Sequence, residues 1–127
     1  IEIVKVTKRF LAGITEVALK EHIGDKTNWR RMLTNDVDDE DLEAWRNKLR
    51  RYIPKEAACY FIENNTETHM EFPVLRYPNK VKSLNLDKVP DFKGVLKGIK
   101  GQYLIFEDNT VFNVRGSEGY YVSLGIL

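Results

Sequence analysis

Glu16 is the residue whose setting most calls for chemistry. It lies within a predicted helix, four residues after Ala12 and three before Leu19. At about 100° per residue, Ala12, Leu19 and Ile23 share its side of that helix. A carboxylate in an apolar stripe must be paired, bind a metal or face a cleft, because burying it alone is costly. The pairing alternative is Lys20, one turn on, an i,i+4 contact worth a few tenths of a kcal/mol. After a tight turn come Asn28, Trp29, Arg30 and Arg31. Adjacent arginines are usually solvated, but guanidinium groups also match phosphate oxygens. A carboxylate can take a divalent cation and guanidinium groups can meet phosphoryl oxygens, so Glu16 with Arg30 and Arg31 gives a thread towards phosphodiester chemistry.

A second basic group, Arg46, Lys48, Arg50 and Arg51, ends a later predicted helix that begins among acids. That polarity complements the helix dipole and needs no ligand, although the same cluster could touch a phosphate backbone. Arg115 beside Asn113 is a further polar pair able to serve a site. His22 and His69 are far apart and Cys59 is the single cysteine, so there is neither a zinc signature nor an internal disulfide. The expectation is a reducing, cytoplasmic setting.

These residues need elements to position them. Ile1–Val6 alternates as a strand. Thr7 as cap and Gly24 as stop bound a first helix with Phe10, Leu11, Ile14, Val17 and Ala18 on one apolar face. With its second stripe, that helix is expected to be sandwiched rather than superficial. Asp25 or Thr27 caps a short second helix with Trp29, Met32 and Leu33 inward. A third helix runs from Asp39 to about Tyr52, with Leu42, Trp45, Leu49 and Tyr52 inward, and Pro54 stops it. Beyond it, Ala57–Ile62 and Thr68–Leu75 read as strands, the latter at an edge or bulge because of Pro73. Lys80–Pro90 reads as a short extended piece. Gly94, Gly98 and Gly101 mark bends, bulges or close backbone approach. Tyr103–Phe106 and Val111–Val114 flank Asp108-Asn109 as a hairpin, and Gly119–Leu124 supplies a closing strand.

Two resemblances follow from these motifs. The order of an Ile/Val-rich strand, a helix bearing Glu16 and then Asn28 after a turn resembles the second half of a GIY-YIG nuclease domain. That resemblance implies Mg2+ or Mn2+ held by Glu16, a catalytic bracing role for Asn28, and phosphate contacts from Arg30 or Arg31. The namesake tyrosine-bearing strands and the arginine of the family's first helix are absent from the sequence, which implies an inactive, nuclease-like portion. DKTNWRRML together with GQYLIF and FNVR is similar to a family of uncharacterised bacterial and archaeal proteins, a match that spans most of the chain.

With 127 residues and 43% hydrophobic content the chain can build one domain or two small units. Its formal net charge of +1 supplies no bulk attraction to nucleic acid or anionic membranes. No apolar run approaches the ~18 residues of a membrane span. The expected fold is α+β: a strand and three helices in residues 1–55, then a largely antiparallel, curved sheet of five or six strands in 56–127. The expected core is Ile3, Ile14, Val17, Leu33, Leu42, Trp45, Leu49, Tyr60, Leu104, Phe106, Val111, Val114 and Val122. Three functions fit this reading: a metal-dependent nuclease-like domain acting on nucleic acid, a non-catalytic nucleic-acid- or protein-binding module, or a structural or oligomeric domain.

Overall fold

The computed structural model describes residues 1–24 and 26–126. Among these residues it confirms an α+β chain, with a mostly antiparallel, open sheet of four strands rather than five or six. The chain divides into two compact units, Ile1–Thr27 with Asp38–Met70, and Asn28–Val37 with Glu71–Leu127.

In the first unit, α1 spans Arg9–Leu19, α3 spans Leu42–Leu49 and continues as a 3-10 turn over Arg50–Tyr52, and α4 spans Lys55–Ala58. The N-cap of α1 is Lys8 rather than Thr7, with no side-chain bond, and the helix stops short of Gly24. Thr15 is buried, and its hydroxyl donates to the Leu11 carbonyl at 2.8 Å, which removes the cost of burying it. Leu19, Leu49, Ile53 and Ala57 are the buried apolar residues of this unit among those described. The expected apolar face of α1 is therefore split. Leu11, Ile14 and Ala18 are half-buried, whereas Phe10 and Val17 are 70% and 66% exposed. Helix α1 is not sandwiched.

Asp41 caps α3, accepting from the Ala44 amide at 2.8 Å. Its buried stripe is Arg46, Leu49 and then Ile53. Leu42 is exposed and Trp45 and Tyr52 only half-buried, so the inward face is rotated by about one residue from expectation. Two further expectations fail here. Ala57–Ile62 is a helical turn ending in a bridge, because Pro54 at the N-cap and Lys55-Glu56-Ala57-Ala58 favour helix. Ile1–Val6 contributes only the antiparallel bridge Val4–Phe61, flanked by the Lys5 amide donating to Tyr60 and that of Ile62 to Ile3, both at 3.0 Å.

The second unit packs α2, Trp29–Thr34, on a sheet of β1 (Lys82–Ser83), β2 (Leu96–Lys100), β3 (Tyr103–Phe106) and β4 (Thr110–Asn113). The strand order is β1-β4-β3-β2, antiparallel except for β1 beside β4. Trp29, Met32 and Leu33 face inward as expected, meeting Tyr103, Ile105 and Val111. The hairpin turns at Asp108-Asn109 as the sequence indicates. Asn109 takes φ 66°, and both Asp108 carboxylate oxygens accept from Thr110, from its amide at 3.0 Å and its hydroxyl at 2.7 Å. Gly98 lies at an irregularity of β2 where the Val74 backbone passes; a Cβ there would sit 2.9 Å from the Val74 Cα. The predicted strand Thr68–Leu75 is reduced to that Val74–Gly98 bridge, since Pro73 has no amide to donate. Gly119–Leu124 forms no strand, and Val114 and Val122 are exposed.

Candidate functional site

Glu16 is exposed on α1 in the first unit. Of the stripe it shares, only Leu19 is buried, so its carboxylate sits on a solvated face. Asn28 belongs to the second unit and is the N-cap of α2, its side-chain oxygen accepting from the Arg31 amide at 3.2 Å. The cap is Asn28 rather than Thr27, and Asp25 lies outside the described residues. The guanidinium of Arg30 lies 4.3 Å from the Trp29 ring centre, and Trp29 stacks on Tyr103 at 5.9 Å and 9°. Arg31 Nε donates to Asp36 at 2.9 Å, and that bond and the guanidinium charge hold the Asp36 carboxyl below its usual range. Each of these three residues thus has a local structural partner. Asn113, expected to pair with Arg115, instead accepts from the Gly116 amide at 2.9 Å and braces the turn after β4. Among the described residues, no group of three or more His, Cys, Asp or Glu is placed to hold a metal.

The structure instead draws attention to the C-terminal end of α3 and the 3-10 turn after it. Lys48 Nζ lies 4.3 Å from the Trp45 ring centre, whose indole N–H donates to Glu40 at 2.8 Å. Arg50 lies 4.6 Å from the Phe61 ring and Arg51 4.8 Å from Tyr52, while His22 stacks on Tyr52 at 3.4 Å. Arg50 also meets Glu63 at 2.9 Å, with both side chains largely exposed, so solvent screens that pair. A cation held flat on a ring loses less freedom when its outward N–H groups meet an anion. Rings beside such cations can also stack on nucleobases.

Beneath this surface lies Arg46, 3% exposed. One of its terminal nitrogens donates to the Asn64 carbonyl; the other donates to Asn65 Oδ1 at 2.8 Å and to Asn47 Oδ1 at 3.3 Å. Its Nε is buried with no partner. Sequence reasoning found the basic cluster but assigned Arg46 to the solvated, dipole-complementing end. The missed signal is its spacing, three residues before Leu49 and seven before Ile53, which places it on the inward stripe.

The fold and surface together define an α+β chain whose described basic–aromatic cluster is built on one helix end. The family model described as "Protein of unknown function (DUF2797)" matches residues 1–122, and the chain belongs to that family. No curated protein and no solved structure matches it. Among the described residues no helix is long and apolar enough to cross a membrane.

Proposed function

We propose that this chain is a non-catalytic module that binds single-stranded nucleic acid through the α3 end. The observation that carries the reading is the run of exposed cations, Lys48, Arg50 and Arg51, each laid over an aromatic ring. Single-strand binders combine cations that track the backbone with rings on which bases stack, and they tolerate many sequences because every base has a π face. The near-neutral net charge is consistent with a small, local footprint rather than a whole-molecule field.

In the nuclease-like alternative, Glu16 holds Mg2+ or Mn2+, Asn28 braces the site, and Arg30 or Arg31 contacts phosphate. The observed cap, stack and ion pair already account for the positions of Asn28, Arg30 and Arg31, so the binding reading asks less of the structure. One experiment separates the two. Fluorescence anisotropy of a labelled single-stranded oligonucleotide, with EDTA present, should show binding that weakens with salt. Arg50→Gln with Arg51→Gln should weaken it and lower the log–log salt slope by about 0.7 per lost contact. Absence of binding at low salt overturns the proposal. Magnesium-dependent cleavage that disappears in Glu16→Gln would establish the nuclease-like reading in its place.

A further inference from the structure

We propose that Arg46 is the buried half of a phosphate site, and that the Asn64-Asn65 turn occupies this site until a phosphate group displaces it. The inference rests on the nucleic-acid reading of the same surface and names the group that surface takes most specifically.

The argument starts from charge. A buried guanidinium is retained at low cost only where an anion or several strong acceptors compensate it. All acceptors of Arg46 among the described residues are neutral amide oxygens, from Asn47, Asn64 and Asn65. Its Nε has none. One turn on, Arg50 lies over the same Phe61 ring, so two cations share one aromatic floor, at 5.8 Å and 4.6 Å. Glu63, immediately before the turn, pairs with Arg50 and leaves Arg46 uncompensated. Positive potential is thus concentrated where solvent screening is weakest.

Geometry makes the same point. The Asn64 carbonyl and the Asn65 side-chain oxygen sit on the two terminal nitrogens of Arg46, two acceptors on one fork. A phosphate offers the same arrangement with formal charge, and charge-assisted bidentate bonds to arginine are roughly twice as strong as neutral ones. Seated on the Nε–Nη2 edge, a phosphate would take the orphaned Nε together with the terminal nitrogen that Asn65 now holds. The Asn64-Asn65 turn is exposed and belongs to no helix or strand, so it can yield without opening the buried Leu49, Ile53 and Ala57. Arg50 stands one helical turn on, over the same Phe61 ring, ready to meet neighbouring charge.

Two sources carry this chemistry, a nucleic-acid backbone and a free phosphate. The test uses the whole chain, with inorganic phosphate and then a single-stranded oligonucleotide as probes, and reads the Arg46 Nε–H resonance in 1H–15N spectra. Phosphate should move that resonance saturably. Asn65→Ala, which weakens the competing acceptor, should tighten phosphate binding by roughly tenfold, the scale of one hydrogen bond to a charged group. Arg46→Lys, checked for folding by circular dichroism, should abolish it, since an ammonium cannot reproduce the fork. An unmoved Arg46 signal while Arg50 shifts, or unchanged affinity in Asn65→Ala, overturns the inference. Oligonucleotide binding that leaves Arg46 unmoved would overturn it while sparing the proposed function. Phosphate binding at Arg46 without oligonucleotide binding would support the site, make a free phosphate its ligand and discard the nucleic-acid reading.

Discussion

Leu33 and Trp45 carry weights opposite to their sizes. Leu33 is fully buried among Tyr103, Ile105 and Val111, so Leu33→Ala should cost about 2–5 kcal/mol in urea titrations. Trp45 is half-buried and its indole donates to an exposed glutamate, so Trp45→Ala should cost clearly less than Leu33→Ala in the same titration. Equal losses would show that Trp45 packs more deeply than its exposure indicates. Leu33 was legible because Trp29, Met32 and Leu33 stand at helical spacing, although the cap proved to be Asn28. Trp45 was misread because an arginine holds the inward position one residue on, and hydrophobic periodicity gives arginine no credit for burial. Asp108 supplies a pH dependence. The Thr110 hydroxyl and amide hold its folded carboxyl below the usual value, so its contribution is present above about pH 4 and fades as pH falls through the lower folded value. Asp108→Asn should therefore narrow the gap between urea midpoints measured at pH 7 and pH 3.

The hairpin of β3 and β4 is the element whose sequence and structure agree most closely. Its turn needs a left-handed residue at Asn109, which asparagine tolerates and β-branched residues do not. Asn109→Gly should be near neutral, whereas Asn109→Val should cost about 1–2 kcal/mol. Gly98→Ala should cost about 1–3 kcal/mol, because a new methyl meets both the Val74 backbone and its side chain. Thermal unfolding of these three variants checks both statements, and a neutral Gly98→Ala would refute the close approach. The elements misread as strands share a cause. Ile1–Val6, Thr68–Leu75 and Gly119–Leu124 have β-prone composition, but a strand requires a paired run, and the first two keep a single bridge each, Val4–Phe61 and Val74–Gly98. The extended pieces that did pair are held by register: the Leu84 amide donates to Val111 at 2.8 Å, and that of Ile99 to Pro73 at 3.0 Å.

At the scale of the molecule, the candidate surface was half legible. The cations were visible as a cluster, and Lys48 and Arg51 lie over their sequence neighbours Trp45 and Tyr52, but Phe61 lies eleven residues beyond Arg50, and His22 thirty before Tyr52. Local periodicity cannot pair them. The family match over residues 1–122 agrees with the similarity carried by DKTNWRRML, GQYLIF and FNVR, whereas nothing in the comparisons supports the GIY-YIG resemblance. If the surface binds single strands, affinity should fall steeply between 50 and 200 mM salt, and a labelled oligonucleotide titrated at both concentrations reads this directly. The interleaving of the two units has a consequence for synthesis. The first unit has all its residues once Met70 has left the ribosome. Helix α2 is made early, yet Leu33 must wait for Val111, 78 residues later, before its packing partners exist. At bacterial-to-eukaryotic elongation rates that is a delay of about 4–16 s with an apolar turn of helix uncovered. During that interval the α2 face is the apolar surface of the second unit that a chaperone would have to cover.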